Sequence, residues 1–318
     1  MDAQTFSGAG GVRRVQVDEE SAGQRLDNFL QRHMKGVPKS HIYRLIRSGQ
    51  VRVDGRRAQA DTRLLAGSEL RLPPVRVAQP DAPRAVPPRE FALLHEDEAL
   101  LVINKPAGVA VHGGSGVSFG VIEQVRRARP QQRFLELVHR LDRETSGTLV
   151  LAKKRSALTA LQAAFRERRV KKRYLALALG AWPEKLHTIN APLRKYVDAA
   201  QERRVAIAAA GEPGAMPALT RVRVQRRFAG FTLLEVAIHT GRTHQIRVHL
   251  AAQGRPIAGD DRYGDFAANH ALRTRGLQRM FLHAWQLDVP HPATGETLRL
   301  HAPLPAELDA FLRTLPDA

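Results

Sequence analysis

The stretch His139-Arg140-Leu141-Asp142-Arg143-Glu144-Thr145-Ser146-Gly147 constrains this chain more than any other. Two apolar runs, Phe134 to Val138 and Thr148 to Ala152, flank it and read as buried strands. The polar residues between them therefore form a loop on a rigid frame, where functional groups concentrate. Asp142 lies between Arg140 and Arg143, a positive field that favours the ionised carboxylate. An ionised aspartate on such a loop can act as a nucleophile or a base. From residue types alone, a carboxylate paired with its neighbouring arginines or capping a turn fits equally well.

Upstream, Leu26, Phe29, Leu30 and Met34 recur at helical spacing, with Asp27 in the first turn. Pro38 and Ser40 announce a second helix, with Ser40 as its N-cap and Gly49 as its C-cap. Ile42, Leu45 and Ile46 fall on one face of it, Arg44 and Arg47 opposite. Val51 to Val53 alternates as a strand into an Asp54-Gly55 hairpin turn, and a short strand runs Glu69 to Leu72. Lys35, Lys39, Arg44, Arg47 and Arg52 lie near the surface, either as an ordinary solvated face or as a nucleic-acid contact. Val75 to Pro88 carries Pro80, Pro83, Pro87 and Pro88 and reads as a stiff linker. The expected organisation is a disordered tail over 1–14, a small module over 15–74, a linker over 75–88 and a larger domain over 89–318.

In that larger domain, Phe91 to Leu94 and Leu100 to Asn104 read as a hairpin. The segment Asn104-Lys105-Pro106-Ala107-Gly108 follows, then a glycine loop, Gly113 to Gly116, without the lysine and spacing of a phosphate-binding loop. Ser156 is the expected cap of a helix whose buried stripe is Leu158, Leu161 and Phe165. The basic run Arg166 to Arg173 leads into Tyr174, at the head of an alternating strand through Leu175, Leu177 and Leu179. A tyrosine among cations suits stacking on a base beside a phosphate chain; a strand-edge tyrosine packing on the core is the plain alternative. Ala199 to Ala218 is expected to be a mobile loop. Strands are expected over 219–226 and 231–238, then a helix through Ile246 and Leu250, with His244 and Arg247 near one another on a second face. His244 and His249 without a third ligand make a poor metal site. Asp260 and Asp261, adjacent on a turn, are not expected to converge on one.

Lys+Arg total 50 against 31 for Asp+Glu, a formal net charge of +19, which implies a polyanionic partner, nucleic acid before membrane. The absence of cysteine excludes disulfides and thiolate metal sites and fits a reducing cytoplasm. Met1 to Val15 lacks the apolar core of a signal peptide, and no apolar run approaches the ~20 residues of a membrane helix.

Four segments, GVPKSHIYRLIRSGQVRV, NKPAGVAVHGG, HRLDRETSG and GRTHQIRVHL, together resemble the motifs of the RluA-type pseudouridine synthases, which isomerise uridine in RNA. The resemblance runs from about Gly23 to Leu312 and is strongest to members acting on the large ribosomal subunit. It implies an α+β architecture: an S4-like RNA-binding module joined to a catalytic domain with a mixed, mostly antiparallel sheet flanked by helices and loops. It implies Asp142 as the catalytic carboxylate and Tyr174 as the active-site tyrosine, with Lys172 beside it. Arg247 would pair with Asp142 through a bidentate guanidinium, and Arg140 would fill the stack that the flipped base vacates. No cofactor and no metal is implied, and a monomer is expected. The implied partner is 23S rRNA or a large-subunit assembly intermediate, gripped by the basic face of the S4-like module. Glu144 stands where an aspartate is common in the nearest relatives. Three rival readings are a non-catalytic rRNA-binding assembly factor, a base-excising glycosylase, and a sister synthase acting on other rRNA or tRNA uridines.

Overall fold

The computed structural model of the chain describes residues 11–34, 36–75, 86–113, 118–198, 202–209 and 211–318. Contacts divide the chain into two compact units, Met1–Ala85 and Val86–Ala318. Lys35, most of the proline-rich linker, Gly114 to Gly116 and residues 199–201 lie outside the described residues. Among the described residues, no helix is long and apolar enough to cross a membrane.

The first unit contains β1 (Arg13–Gln16), α1 (Leu26–His33), α2 (Lys39–Arg47), β2 (Arg52–Val53), β3 (Arg56–Arg57) and β4 (Glu69–Leu72). The strands form an antiparallel sheet in the order β1-β4-β2-β3. Leu26, Phe29, Leu30, Ile42, Leu45 and Ile46 project from the helices into one core with Leu64, Leu70 and Leu72. Arg13 and Arg14, expected in a disordered tail, instead stand in β1, because the alternation through Val15 pairs with Leu70 of β4. Ser40 is not the N-cap of α2. Pro38, extended at ψ 140, holds that place, and its fixed φ starts the helix two residues earlier. Gly49 follows the C-cap Ser48 at φ +72, the left-handed position that ends a helix. Asp54 and Gly55 both have positive φ, which suits a two-residue turn joining β2 and β3. Lys39, Arg44 and Arg47 are exposed along α2, while Arg52 is half-buried and donates to the Gly55 carbonyl at 3.1 Å.

The second unit runs β5 (Leu93–Glu96), β6 (Leu100–Lys105), α3 (Val121–Ala128), β7 (Glu136–Leu137), β8 (Ser146–Ala152), α4 (Arg155–Arg166), β9 (Lys171–Leu179), β10 (Thr188–Asn190), β11 (Leu193–Val197), β12 (Arg203–Ile207), β13 (Leu219–Phe228), β14 (Phe231–Ile238), α5 (Gln245–Ala252), α6 (Phe266–Thr274), β15 (Leu282–Pro290), β16 (Thr297–His301) and α7 (Ala306–Arg313). A ten-stranded mixed sheet orders them β10-β13-β14-β9-β15-β8-β6-β5, with β16 on β15 and β7 on β8. Among the described residues, every pairing in it is antiparallel except β8 with β15. All seven residues of β8 are buried, as a strand covered on both faces requires. On one side lies α4, through Leu158 and Leu161, and on the other α3, through Val121 and Val125.

Gly147, the second residue of β8, has φ +113, and a Cβ there would stand 2.2 Å from the Ala284 carbonyl oxygen of β15. The glycine that ends the polar stretch thus lets the parallel pair of β8 with β15 close. Three expectations need correction. Only Glu136 and Leu137 of the run before the polar stretch are strand. Lys154, extended, rather than Ser156 precedes α4. Arg203–Ile207, placed in a mobile loop, is strand β12, paired with β11 from Leu193↔Ile207 to Val197↔Arg203.

Candidate active site

Asp142 sits in the loop between β7 and β8, and its carboxylate is 28 % exposed. It opens into a cavity of about 400 Å³ also lined by Arg140, Lys172, Tyr174 and His244. The sheet register explains that company. Lys172 and Tyr174 alternate onto the same face of β9, opposite Ile238 and Val236 of β14. Asp142 is not paired with its chain neighbours. Arg143 donates to Glu144 at 2.7 Å, and Arg140 is exposed with no ion pair among the described residues. The facing cation is Arg247 of α5, whose Nη1 lies 3.6 Å from Asp142 Oδ2.

The Arg247 fork, however, goes elsewhere. Nε and Nη2 donate to Asp260 Oδ2 and Oδ1 at 2.8 and 2.7 Å. The expected bidentate grip on Asp142 is therefore a bidentate grip on Asp260, with the remaining nitrogen facing Asp142. Asp260 is buried and also accepts the N–H groups of Arg262 and Tyr263. Burial opposes its charge, but the Arg247 fork outweighs that and holds the carboxyl below its ordinary range. Asp261 diverges and takes Arg273 at 2.7 Å. Asp260 anchors the arginine.

On the other side of Asp142 stands His244, its Nε2 3.9 Å from Oδ1. This residue is not on a helical face; it precedes α5 in the left-handed conformation, at φ 53. Its Nδ1 lies 2.7 Å from the Tyr263 hydroxyl oxygen, which also accepts the Val205 N–H of β12 at 3.1 Å. Burial, with the Asp142 charge adding to it, raises the Tyr174 phenol above its ordinary range, so this hydroxyl stays protonated. Burial lowers Lys172, with the charge of Arg168 second.

The loop is held from behind by groups that periodicity does not mark. Lys105, fully buried at the end of β6, donates to the carbonyls of Pro106, Val109 and Arg143 at 2.8, 2.8 and 3.0 Å. Burial brings its pKa down to about 7. The ammonium ties the Asn104-Lys105-Pro106 turn to the residue after Asp142. Lys105→Met would leave three carbonyls with one partner fewer and is expected to cost about 2–4 kcal/mol. Equilibrium unfolding in denaturant checks this, and an unchanged midpoint would contradict it. Ser146 receives Arg279 Nη2 at 2.7 Å and lies 2.9 Å from His283 Nδ1, while His283 Nε2 reaches the Ala302 carbonyl at 3.1 Å. The carbonyl must accept, so Nε2 carries the proton and Ser146 donates to Nδ1.

His283 and His139 are both neutral in the fold. Burial lowers each from 6.5 to about 4, with Lys172 adding to the effect at His139. The unfolded chain therefore binds more protons than the folded one between those values. Stability present above pH 6.5 should be lost as the pH falls toward 4, roughly 3 kcal/mol for each imidazole. Chemical denaturation across that window measures it; a flat midpoint would exclude the effect.

The cavity thus joins a partly exposed aspartate to a tyrosine and a lysine on one face of a mixed sheet, with a buried arginine facing the aspartate. The profile described as RNA pseudouridylate synthase matches residues 99–252, and the S4 domain profile matches residues 24–70. The chain belongs to the RNA pseudouridylate synthases, and is an isomerase of that family. It is 48 % identical over 315 residues to the ribosomal large subunit pseudouridine synthase C of Salmonella typhimurium and to that of Escherichia coli K12, covering 96 % of this chain and 98 % of each relative. Among solved structures, human RNA pseudouridylate synthase domain containing 1 superposes with a TM-score of 0.58 at 29 % identity, covering 75 % of this chain and 100 % of that one. Human RNA pseudouridylate synthase domain containing 4 gives 0.58 at 28 % identity over 70 % of this chain and 91 % of that one.

Proposed function

We propose that this enzyme converts specific uridines of 23S rRNA, in the cytoplasm, to pseudouridine, with Asp142 as the essential carboxylate. The observation that carries the reading is the position of Asp142. It opens into the cavity beside Tyr174, and the cation facing it has its fork committed to another carboxylate. The names of the relatives above supply the ribosomal RNA substrate.

The reaction breaks the N1–C1′ bond, turns the uracil, joins C5 to C1′ and releases the C5 proton. A flipped nucleotide must enter the cavity, at a cost of a few kcal/mol of lost stacking. Exposed Arg140 at the cavity wall is suited to occupy the vacated stack. Asp142 either attacks C1′ or removes the C2′ proton to form a glycal. Tyr174 stacks on the uracil; its phenol is kept protonated by burial and is a poor base for the C5 proton. Lys172 lies along the same wall as a phosphate or base contact.

Tritium release from unmodified 23S rRNA labelled at uridine C5, with Asp142→Ala as control, tests the proposal. Release by the wild type alone supports it. Release from tRNA but not from rRNA moves the enzyme to a sister specificity, and silence on both leaves an RNA binder.

The first unit supplies the grip. Lys39, Arg44 and Arg47 lie exposed along α2, and Arg44 and Arg47 hold no ion pair among the described residues. Such cations bind phosphates by displacing counter-ions. Lys35 belongs to the same proposed set. Replacing Arg44 and Arg47 together by glutamate should weaken rRNA binding at least about tenfold and flatten its salt dependence. Filter binding at several salt concentrations checks this; equal affinity at physiological salt would remove these two residues from the interface.

A further inference from the structure

Asp142 has two neighbours, and only Arg247 is accounted for so far. His244 Nε2 faces Oδ1 at 3.9 Å while Arg247 Nη1 faces Oδ2 at 3.6 Å. The backbone at His244 adopts a conformation that L side chains rarely take, and such departures gather where a side chain must be aimed. Here the aim is into the cavity. The ring does not hang free: Tyr263 fixes its far edge, and Tyr263 is itself held by the Val205 N–H and by the Arg247 guanidinium over its ring, 5.1 Å from the centroid.

The proton positions follow from these partners. The Tyr263 oxygen already accepts from Val205, and among the described residues its own hydrogen has one acceptor within reach, His244 Nδ1. Nδ1 then bears no hydrogen, and the proton of the neutral ring sits on Nε2, the nitrogen turned toward Asp142. The opposite tautomer would turn a lone pair toward a carboxylate and leave the tyrosine hydrogen unpaired. Both considerations select the same form. The charged groups around the ring are Asp142 and Arg247 in front and Asp260 and Arg262 behind, and burial keeps the ring neutral.

We propose that His244 is a second positioning residue for the catalytic carboxylate, held by Tyr263 with its Nε2–H directed at Asp142 Oδ1, so that the aspartate is oriented from both oxygens. The inference rests on the synthase reading given above. At 3.9 and 3.6 Å neither neighbour makes a full hydrogen bond, so the carboxylate is aimed while its lone pairs stay available to the sugar. The hydroxyl of Tyr263 also joins β12 to the pocket. The β11–β12 hairpin thereby braces the tautomer on which the aim depends.

The test is single-turnover tritium release from C5-labelled 23S rRNA by the full chain, with RNA affinity measured in parallel. His244→Ala should lower the rate constant by about 10- to 100-fold, the range seen when an orienting partner of an active-site group is removed. The RNA concentration at half-maximal rate should stay within about twofold, which a generally loosened pocket would not allow. His244→Gln places an amide N–H where Nε2 stood and should recover at least part of the loss. Tyr263→Phe keeps the backbone of residue 244 intact, frees the tautomer, and should slow turnover at least about threefold. It decides the matter should His244→Ala fail to fold. Wild-type turnover by His244→Ala or Tyr263→Phe, or a loss confined to RNA affinity, would overturn the proposal. An inactive wild type would overturn the synthase reading instead, so the two failures are distinguishable.

Discussion

Asp142→Asn is expected to abolish pseudouridine formation, with turnover falling at least about 10³-fold, a loss of about 4 kcal/mol in transition-state stabilisation. The amide has the shape of the carboxylate but cannot attack a sugar carbon or take its proton. The fold should not notice the change. Among the described residues, the Asp142 carboxylate makes no hydrogen bond, only its 3.6 and 3.9 Å approaches to Arg247 and His244. Removing its charge also relieves nothing that other residues depend on, because Asp260 carries the Arg247 fork. The melting temperature should therefore stay within about 2 °C and RNA affinity within about threefold. Tritium release, calorimetry and filter binding on one preparation test the three statements together. Turnover within tenfold of wild type would remove Asp142 from the chemistry.

Arg247→Met is the second large effect, and it should strike stability and activity at once. The guanidinium and the Asp260 carboxylate are 7 % and 1 % exposed, so deleting the cation strands a buried charge. Breaking such a pair costs about 3–5 kcal/mol, or roughly 10 °C in the melting temperature of a unit of this size. Arg247→Lys keeps a charge but not the fork and should recover little. The informative variant is Arg247→Met combined with Asp260→Asn. Neutralising the stranded carboxylate should return most of the stability and none of the activity, since Asp142 would still lack its facing cation. Thermal unfolding of Arg247→Met within about 2 °C of wild type would show that the pair is not the anchor described here.

These two residues also mark what a sequence can disclose. Periodicity found α1 and α2, because each buries one stripe in a single core. It found β13 and β14, because they pair as a hairpin whose alternation is interrupted only by a bulge between Val224 and Arg226. It misplaced the start of α2 and of α4, where an extended Pro38 and Lys154 rather than a serine side chain open the helix. It was silent on α3, α6 and α7. Asp142 and Arg247 came together through motif resemblance, since nothing in their spacing requires residues 105 apart in sequence to meet. The partners that organise the site were out of reach for the same reason. Asp260 claims the fork, Tyr263 claims His244, and Lys105 claims the carbonyl after Asp142, each across a contact that only the closed fold creates. A lysine at the end of an apolar strand was the one local hint of the last.

The parallel pairing of β8 with β15 has a kinetic consequence. Ser146 and His283 lie 137 residues apart, and no hairpin can bring them together. Contacts of that separation are slow to form, because a long loop must close before anything rewards it. During synthesis the chain emerges from its N-terminus. The S4-like unit can be complete while the loop carrying Asp142 still lacks its rear support. A nascent chain stopped before Leu282 should hold RNA yet leave uridine untouched, so competence to bind precedes competence to modify.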